Sequence, residues 1–508
     1  MAIAEDLAII HDPETDQAFH VEQHGIDFIP ESERWARPRD LFGMWGGASL
    51  NIEYFLYGAV LMGFGFTFAQ AVSLIVIGNL SYFLLGVCSL QGPDTGTTVF
   101  GVNRAGFGPN GSRIIAIFNW ASQVGFEIEG LILIVAAGLV LAEEGGLRPG
   151  TPAKYGLVIG AVAVQFVLPF LGHATIVKTL RLLILPFVLL FVGLLIFVTR
   201  HATTHGVPVG ASWQVYFAGL AFTIALSGLG WAENGNDYSR YLPRKSSAKG
   251  IVFWVFLGTA VPEILIMILG AATGTWLKNI SANYQQAGTV FQKGTNVFQP
   301  FFHQSGLPSW FVVLFLVFCI LQLFAINSLD LYSSGVTLQA IGVKVKRYQA
   351  VAIDSVICLG VTLYVVFNSS FTTYLKDFVD AVIVWIAPWV AIFLTDWILR
   401  RYRYVPSELQ NTGKSSLYYH KGGIFWPALI AQLFGMAAAM SGLNPTFNVP
   451  TWMNPIAAAT GSDSFTRADF SIFLGLAVGS LVYVALAYSK VRRQADAQEE
   501  LLKTEGVL

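Results

Sequence analysis

Seven carboxyl side chains stand where the neighbouring sequence is apolar: Glu53, Glu127, Glu129, Glu233, Glu263, Asp330 and Asp354. An ionisable group at mid-bilayer costs at least about 2.5 kcal/mol, and where one persists it is usually tied to a pathway or a partner. No cation compensates them at the same depth, because Lys and Arg are confined to loops and helix ends and the histidines to the tail or connecting segments. Burial disfavours the charged form of a carboxyl group, so unpaired acids are candidate proton carriers. A bound sodium ion or a cationic substrate would serve as counter-charge equally well. For Glu263 and Asp354 the structural reading is favoured: they hold helices together through hydroxyls or backbone.

The spacing of these acids suggests a site. Trp120, Gln123 and Glu127 recur at i, i+3 and i+7, which places them on one helical face that looks like cavity lining. Asp330 lies in the polar stretch from Asn327 to Ser334, within another apolar run. Glu53 follows a cluster of small residues, Gly46, Gly47, Ala48 and Ser49, while Glu233 lies among Gly228, Gly230 and Gly235. Glycine is common in membrane helices because it permits close packing, and each cluster alone has that simpler explanation. Two interruptions at matching positions of two halves, each beside an acid, point instead to broken helices whose unwound backbone meets substrate and ion at mid-membrane.

The elements that must position these groups are membrane helices. Hydrophobic residues make up 54% of the 508 and charged residues only 12%, about half the share of an ordinary soluble protein. Runs of about 20 apolar residues, the length that crosses a hydrocarbon core, recur with short polar breaks. Twelve spans are predicted, near 42–64, 68–91, 112–142, 156–172, 175–199, 213–237, 250–277, 308–341, 348–369, 377–399, 424–441 and 469–489. With both termini inside, 23 of the 30 Lys and Arg fall in inner segments and seven in outer ones, as the positive-inside rule requires. The chain then divides into a cytoplasmic tail (1–40), two five-helix halves (41–199 and 213–399), a cytoplasmic loop (400–423), two additional helices (424–489) and a C-terminal tail (490–508). Residues 1–40 show no secretory signal pattern. Near-zero net charge without a basic patch argues against nucleic acid. Cys88, Cys319 and Cys358 lie in apolar runs and suit neither a disulfide framework nor a zinc site. Gly413-Lys414-Ser415 imitates the end of a phosphate-binding loop, but Glu408 stands where its first glycine belongs.

Four stretches resemble the nucleobase:cation symporter-1 family, the permeases for cytosine, purines, uracil, allantoin, hydantoins and thiamine. They are Arg37 to Ile52, Gly230-Trp231 with Asn236 to Pro243, Asn327 to Ser334, and Asp396 to Arg401 with Tyr419 to Gly423. The resemblance implies an all-α polytopic protein of the leucine-transporter fold, with a 5+5 inverted repeat plus two extra helices. It implies a flat heterocycle between spans one, three, six and eight, stacked on aromatic rings and held at its edge. Matched residue by residue, Asn51 takes a polar position in span one, Glu127 and Asp330 the amide positions in spans three and eight, and Trp231 the stacking position in span six. Gln123 stands where some members carry a second stacking Trp, so a two-sided stack needs Trp120 or Phe126. Sodium-coupled members use span-one carbonyls, here Gly47 and Leu50, with span-eight hydroxyls, where this chain has Phe324, Ala325, Ile326 and Asn327.

The expected function is therefore a symporter that imports a nucleobase or related heterocycle across the plasma membrane by alternating access. It has no cofactor and no catalytic residues, and its co-transported cation is a proton in preference to sodium. Glu127 is the favoured proton carrier, since Ser328 or Ser334 would hold Asp330 ionised. A sodium-coupled symporter of an amino acid on the same fold is the alternative, although unpaired acids suit an anionic substrate poorly. A channel or membrane-embedded enzyme ranks last, because neither a repeated filter sequence nor a metal-ligand cluster is visible.

Overall fold

A computed structural model describes residues 28–167, 173–201, 210–276, 298, 306–343, 347–445, 449–464 and 466–504. Most of the expected N-terminal tail and of the 278–307 loop, the end of span four and the last four residues lie outside the described residues. The described regular structure is helical throughout. Among the described residues nine helices are long and apolar enough to cross a membrane by length and composition. Three shorter apolar helices, Ile52–Met62, Thr151–Val167 and Trp213–Leu226, fall in the expected spans one, four and six.

Span one is two helices, α1 (Pro38–Ser49) and α2 (Ile52–Met62). The small residues 46–49 remain helical, contrary to the expectation that they form the break. The interruption falls at Leu50 and Asn51 because Asn51 caps α2: its Oδ1 accepts from the Glu53 backbone N–H at 3.1 Å. Asparagine offers an orphan N–H of a first turn a better partner than glycine does. The expected second span, 68–91, falls within the apolar stretch Phe68–Thr95, in which α3 (Phe68–Asn79), α4 (Tyr82–Cys88) and α5 (Gln91–Thr95) follow one another. α6 (Val99–Phe107) leads into α7 (Pro109–Glu144), the expected third span, followed by α8 (Thr151–Val167) and α9 (His173–His201).

Span six begins as α10 (Trp213–Leu226) and loses α-helical form from Ser227 to Asn234, passing through one 3-10 turn at Ala232–Asn234 before α11 (Gly235–Ser239). This interruption agrees with the glycine pattern. A Cβ on Gly228 would lie 2.2 Å from the Tyr82 backbone, so only glycine lets the unwound segment lie against the second span. α12 (Ala248–Trp276) packs along both halves of span one, and a Cβ on Gly58 would lie 1.9 Å from the Met267 carbonyl.

α13 (Ser309–Ile341) runs against α7, and α14 (Arg347–Asn368) against α7 and α8. α15 (Phe371–Leu399) then packs on α16 (Trp426–Gly442) and α17 (Ser471–Thr504). α17 continues far beyond the predicted end of the last span, so the described part of the expected C-terminal tail is helix. Its extension is fastened by Arg401, which pairs with Asp496 at 2.7 Å and Glu499 at 2.8 Å. Large apolar side chains such as Leu182, Val356 and Leu481 remain at least two-thirds exposed, which in a chain of this composition marks a lipid-facing surface.

Candidate functional site

The two interruptions face each other through aromatic contacts. The Trp231 indole N–H donates to the Tyr54 hydroxyl at 3.0 Å, joining the unwound part of span six to α2. Trp45 of α1 meets Trp231 edge-on, with centroids 5.8 Å apart, and Tyr238 likewise at 5.2 Å. Phe126 of α7 lies nearly parallel to Trp231, at 14° with centroids 6.2 Å apart. Phe126, and not Gln123 or Trp120, is thus the side chain that lies parallel to Trp231. A ring held in van der Waals contact on both faces needs about 7 Å between them, so these walls must part by at least about 1 Å to seat one. Phe378 of α15 stands edge-on against Phe126 at 4.9 Å and closes that side.

Carboxyl groups surround this aromatic cluster. Glu233, fully buried within the 3-10 turn, has Oε1 3.4 Å from the Gln123 amide nitrogen, which lies equally far from Asn234 Oδ1. Asp330 of α13 is 4% exposed. Glu129 and Glu233 are electrostatic neighbours of Asp330, and Glu53 neighbours both Glu129 and Asp330. Glu53 accepts the Asn51 amide at 2.8 Å, and Glu129 accepts the Tyr57 hydroxyl at 2.6 Å. No Lys or Arg appears among the main electrostatic neighbours of these four acids within the described residues.

The expected site residues do not all converge. Trp231, Gln123 and Asp330 border the interruption in span six. Asn51 is committed to capping α2. The face carrying Trp120 and Glu127 turns towards α14: Trp120 donates to Asp354 at 2.9 Å, while Glu127 takes the Cys358 thiol at 3.4 Å and the Gln165 amide at 3.3 Å. Asn327 closes this second polar cluster by donating to Gln165 at 2.8 Å and to the Glu127 carbonyl at 2.9 Å. One Glu127 oxygen, Oε1, remains buried without a partner. Helical twist explains the separation, since residues 120 and 127 nearly eclipse one another while 123 sits about a sixth of a turn away.

The serines expected to hold Asp330 do not. Ser334 donates to Asp354 at 2.6 Å, and Ser328 turns back on the Phe324 carbonyl. Helical hydroxyls commonly satisfy themselves on the preceding turn in this way. Glu263 accepts Ser49 at 3.0 Å and Tyr82, tying together α1, α4 and α12.

Gln322 was not anticipated. Its amide donates to the Gly47 carbonyl at 2.7 Å, occupying one of the two span-one carbonyls expected to face a sodium ion. A lone amide in an apolar run was the available signal for both Gln322 and Gln165. Tyr54 and Tyr57 gave none, because tyrosines are ordinary constituents of membrane helices. Among the described residues no cluster of His, Cys, Asp and Glu suits a metal ion.

A polytopic helical chain with two broken helices and a polar, aromatic-walled site between them is a membrane solute transporter. Residues 28–464 match the family described as permeases for cytosine/purines, uracil, thiamine and allantoin, and the chain belongs to that family. YxlA of Bacillus subtilis, named after the purine-cytosine permeases, is 27% identical over 491 residues, covering 95% of this chain and 99% of its own. The purine-cytosine permease fcyB of Emericella nidulans is 24% identical over 485 residues, covering 92% and 88%. In fold, the chain is similar to Mhp1, a nucleobase-cation-symport-1 family transporter solved closed with bromovinylhydantoin bound. The TM-score is 0.69 at 16% identity, with 93% of this chain and all of Mhp1 covered. These relatives are transporters, in keeping with the absence of an enzymatic reading of the sequence.

Proposed function

We propose that this protein imports a nucleobase-like planar heterocycle across the plasma membrane by proton symport, with Trp231 and Phe126 stacking on the ring. The observation that carries the reading is the near-parallel pair formed by Trp231, in the unwound part of span six, and Phe126 of α7. Gln123 and Asp330 contact the ring edge in this reading, and Asn51 acts indirectly by fixing the interruption in span one. Trp120 acts at a distance through Asp354.

Glu127 is the proposed proton carrier. It sits outside the aromatic cluster, among Gln165, Asn327 and Cys358, and has no cationic partner among these contacts. Proton coupling is further supported at the alternative sodium position. The amide of Gln322 engages Gly47, leaving Leu50 as the second candidate carbonyl, and the adjacent span-eight residues lack hydroxyls. A hard cation needs several oxygen ligands, and a donated N–H opposes one. Twelve spans in two inverted five-helix repeats with two added helices, both termini cytoplasmic, complete the proposed arrangement.

Uptake of a radiolabelled nucleobase panel into proteoliposomes, with pH and sodium gradients imposed separately, tests the proposal. Accumulation should follow the pH gradient. Sodium-dependent, pH-independent accumulation rejects proton coupling, and no uptake of any heterocycle rejects the substrate class.

A further inference from the structure

We propose that the substrate binds as a planar cation whose edge is rich in N–H donors, such as an amidinium or aminopyrimidinium-type ring, with Asp330 and Glu233 as its counter-charges. The inference rests on the proposed ring site and names the chemistry that this site selects.

Open carboxyl and amide oxygens lie beside Trp231, and the unpartnered hydroxyl of Ser227 in the same unwound segment can accept as well as donate. Asp330 is buried with Glu129 and Glu233 as electrostatic neighbours, and Glu233 Oε2 is buried without a partner. Gln123 is an independent indication: it is wholly buried, its amide N–H group is directed at Glu233 and Asn234, and its Oε1 lacks a partner. Thus even the neutral side chain at the edge leaves only an acceptor available. A neutral nucleobase presents alternating donors and acceptors, and each acceptor would confront carboxylate lone pairs here. An edge of N–H donors carrying positive charge meets no such opposition.

The aromatic arrangement selects in the same direction. Trp231 and Phe126 offer ring faces, and a cation over an aromatic face is attracted by the ring quadrupole. Glu53 and Glu129 are further acidic groups near Asp330, and no Lys or Arg appears among their main electrostatic neighbours within the described residues. An isolated charge is costly in a membrane, so a bound cation lowers the cost of keeping these acids ionised. Glu127, engaged with Gln165 and Cys358, remains available for the transported proton.

Benzamidinium and benzamide test the inference, because they share shape and ring but differ in charge and in one donor for one acceptor. Calorimetric titration of the purified full chain in nanodiscs should show benzamidinium binding at least tenfold more tightly than benzamide. Asp330→Asn and, separately, Glu233→Gln should bring that ratio towards one by weakening the cation selectively. The folding of each variant is checked by its thermal midpoint. Equal or tighter binding of benzamide to the parent protein overturns the inference while leaving the stacking site intact, as does a ratio that survives both variants. If neither compound nor any nucleobase binds, the ring site itself is rejected and the inference with it.

Discussion

Replacing Trp231 by alanine removes one wall of the proposed slot, and the structure sets the size of the loss. Trp231 is 8% exposed, and its indole is held on one side by Trp45 and anchored to Tyr54, so a single face is directed at Phe126. An aromatic stack contributes about 0.5–1.5 kcal/mol beyond the apolar area it covers. Including part of that area, Trp231→Ala should cost about 1–2 kcal/mol, a roughly 5–30-fold rise in Kd. Trp231→Phe keeps a face and loses the bond to Tyr54, so most of the affinity should remain. Phe126→Ala should resemble Trp231→Ala, and the double variant should lose less than the sum, because a ring freed on one side no longer holds its geometry on the other. The assay is equilibrium binding of the tightest ligand from a nucleobase panel to purified protein, with thermal midpoints confirming folding. Parental affinity in Trp231→Ala, or strict additivity of the two losses, would refute a two-sided stack.

Glu127→Gln should abolish accumulation driven by a pH gradient while preserving counterflow exchange, and a variant that still concentrates substrate moves the proton elsewhere. Arg400 and Asp396 form a buried pair at 2.8 Å, so Arg400→Met should destabilise by about 3–5 kcal/mol and the added Asp396→Leu should recover much of it, measured by thermal unfolding. Burial lowers the His420 pKa from 6.5 to about 4, so the folded state disfavours its protonation. That stability contribution is present above pH 6.5 and declines as pH falls towards 4; midpoints of the parent should fall across this window more steeply than those of His420→Gln. Single cysteines placed within 143–155 should react with an impermeant thiol reagent in intact cells, and those within 238–249 or 400–423 should not; the reverse pattern inverts the topology.

Much of the helical plan was legible because hydrocarbon admits few solutions: apolar length marked the nine helices long and apolar enough to cross a membrane among the described residues, and glycine beside acid marked the interruption in the expected span six. Span one was harder. Its glycines drew attention to 46–49, yet the helix breaks where a side chain can cap the next one, and Asn51 does so. At the candidate site, residue type was more readable than partnership. An acid in an apolar run is conspicuous in one sequence, but whether Glu127 faces a ring or Gln165 depends on the rotation of α7 against α8 and α14. Three positions of a helix shared by several neighbours do not reveal which neighbour each residue meets. Asp354 shows the consequence: it binds both Ser334, expected to hold Asp330, and Trp120, expected to line the cavity. Those two commitments hold Ser334 and Trp120 on Asp354, while Phe126 is the ring parallel to Trp231. A single carboxyl on α14 thereby withholds two expected side chains from the proposed site.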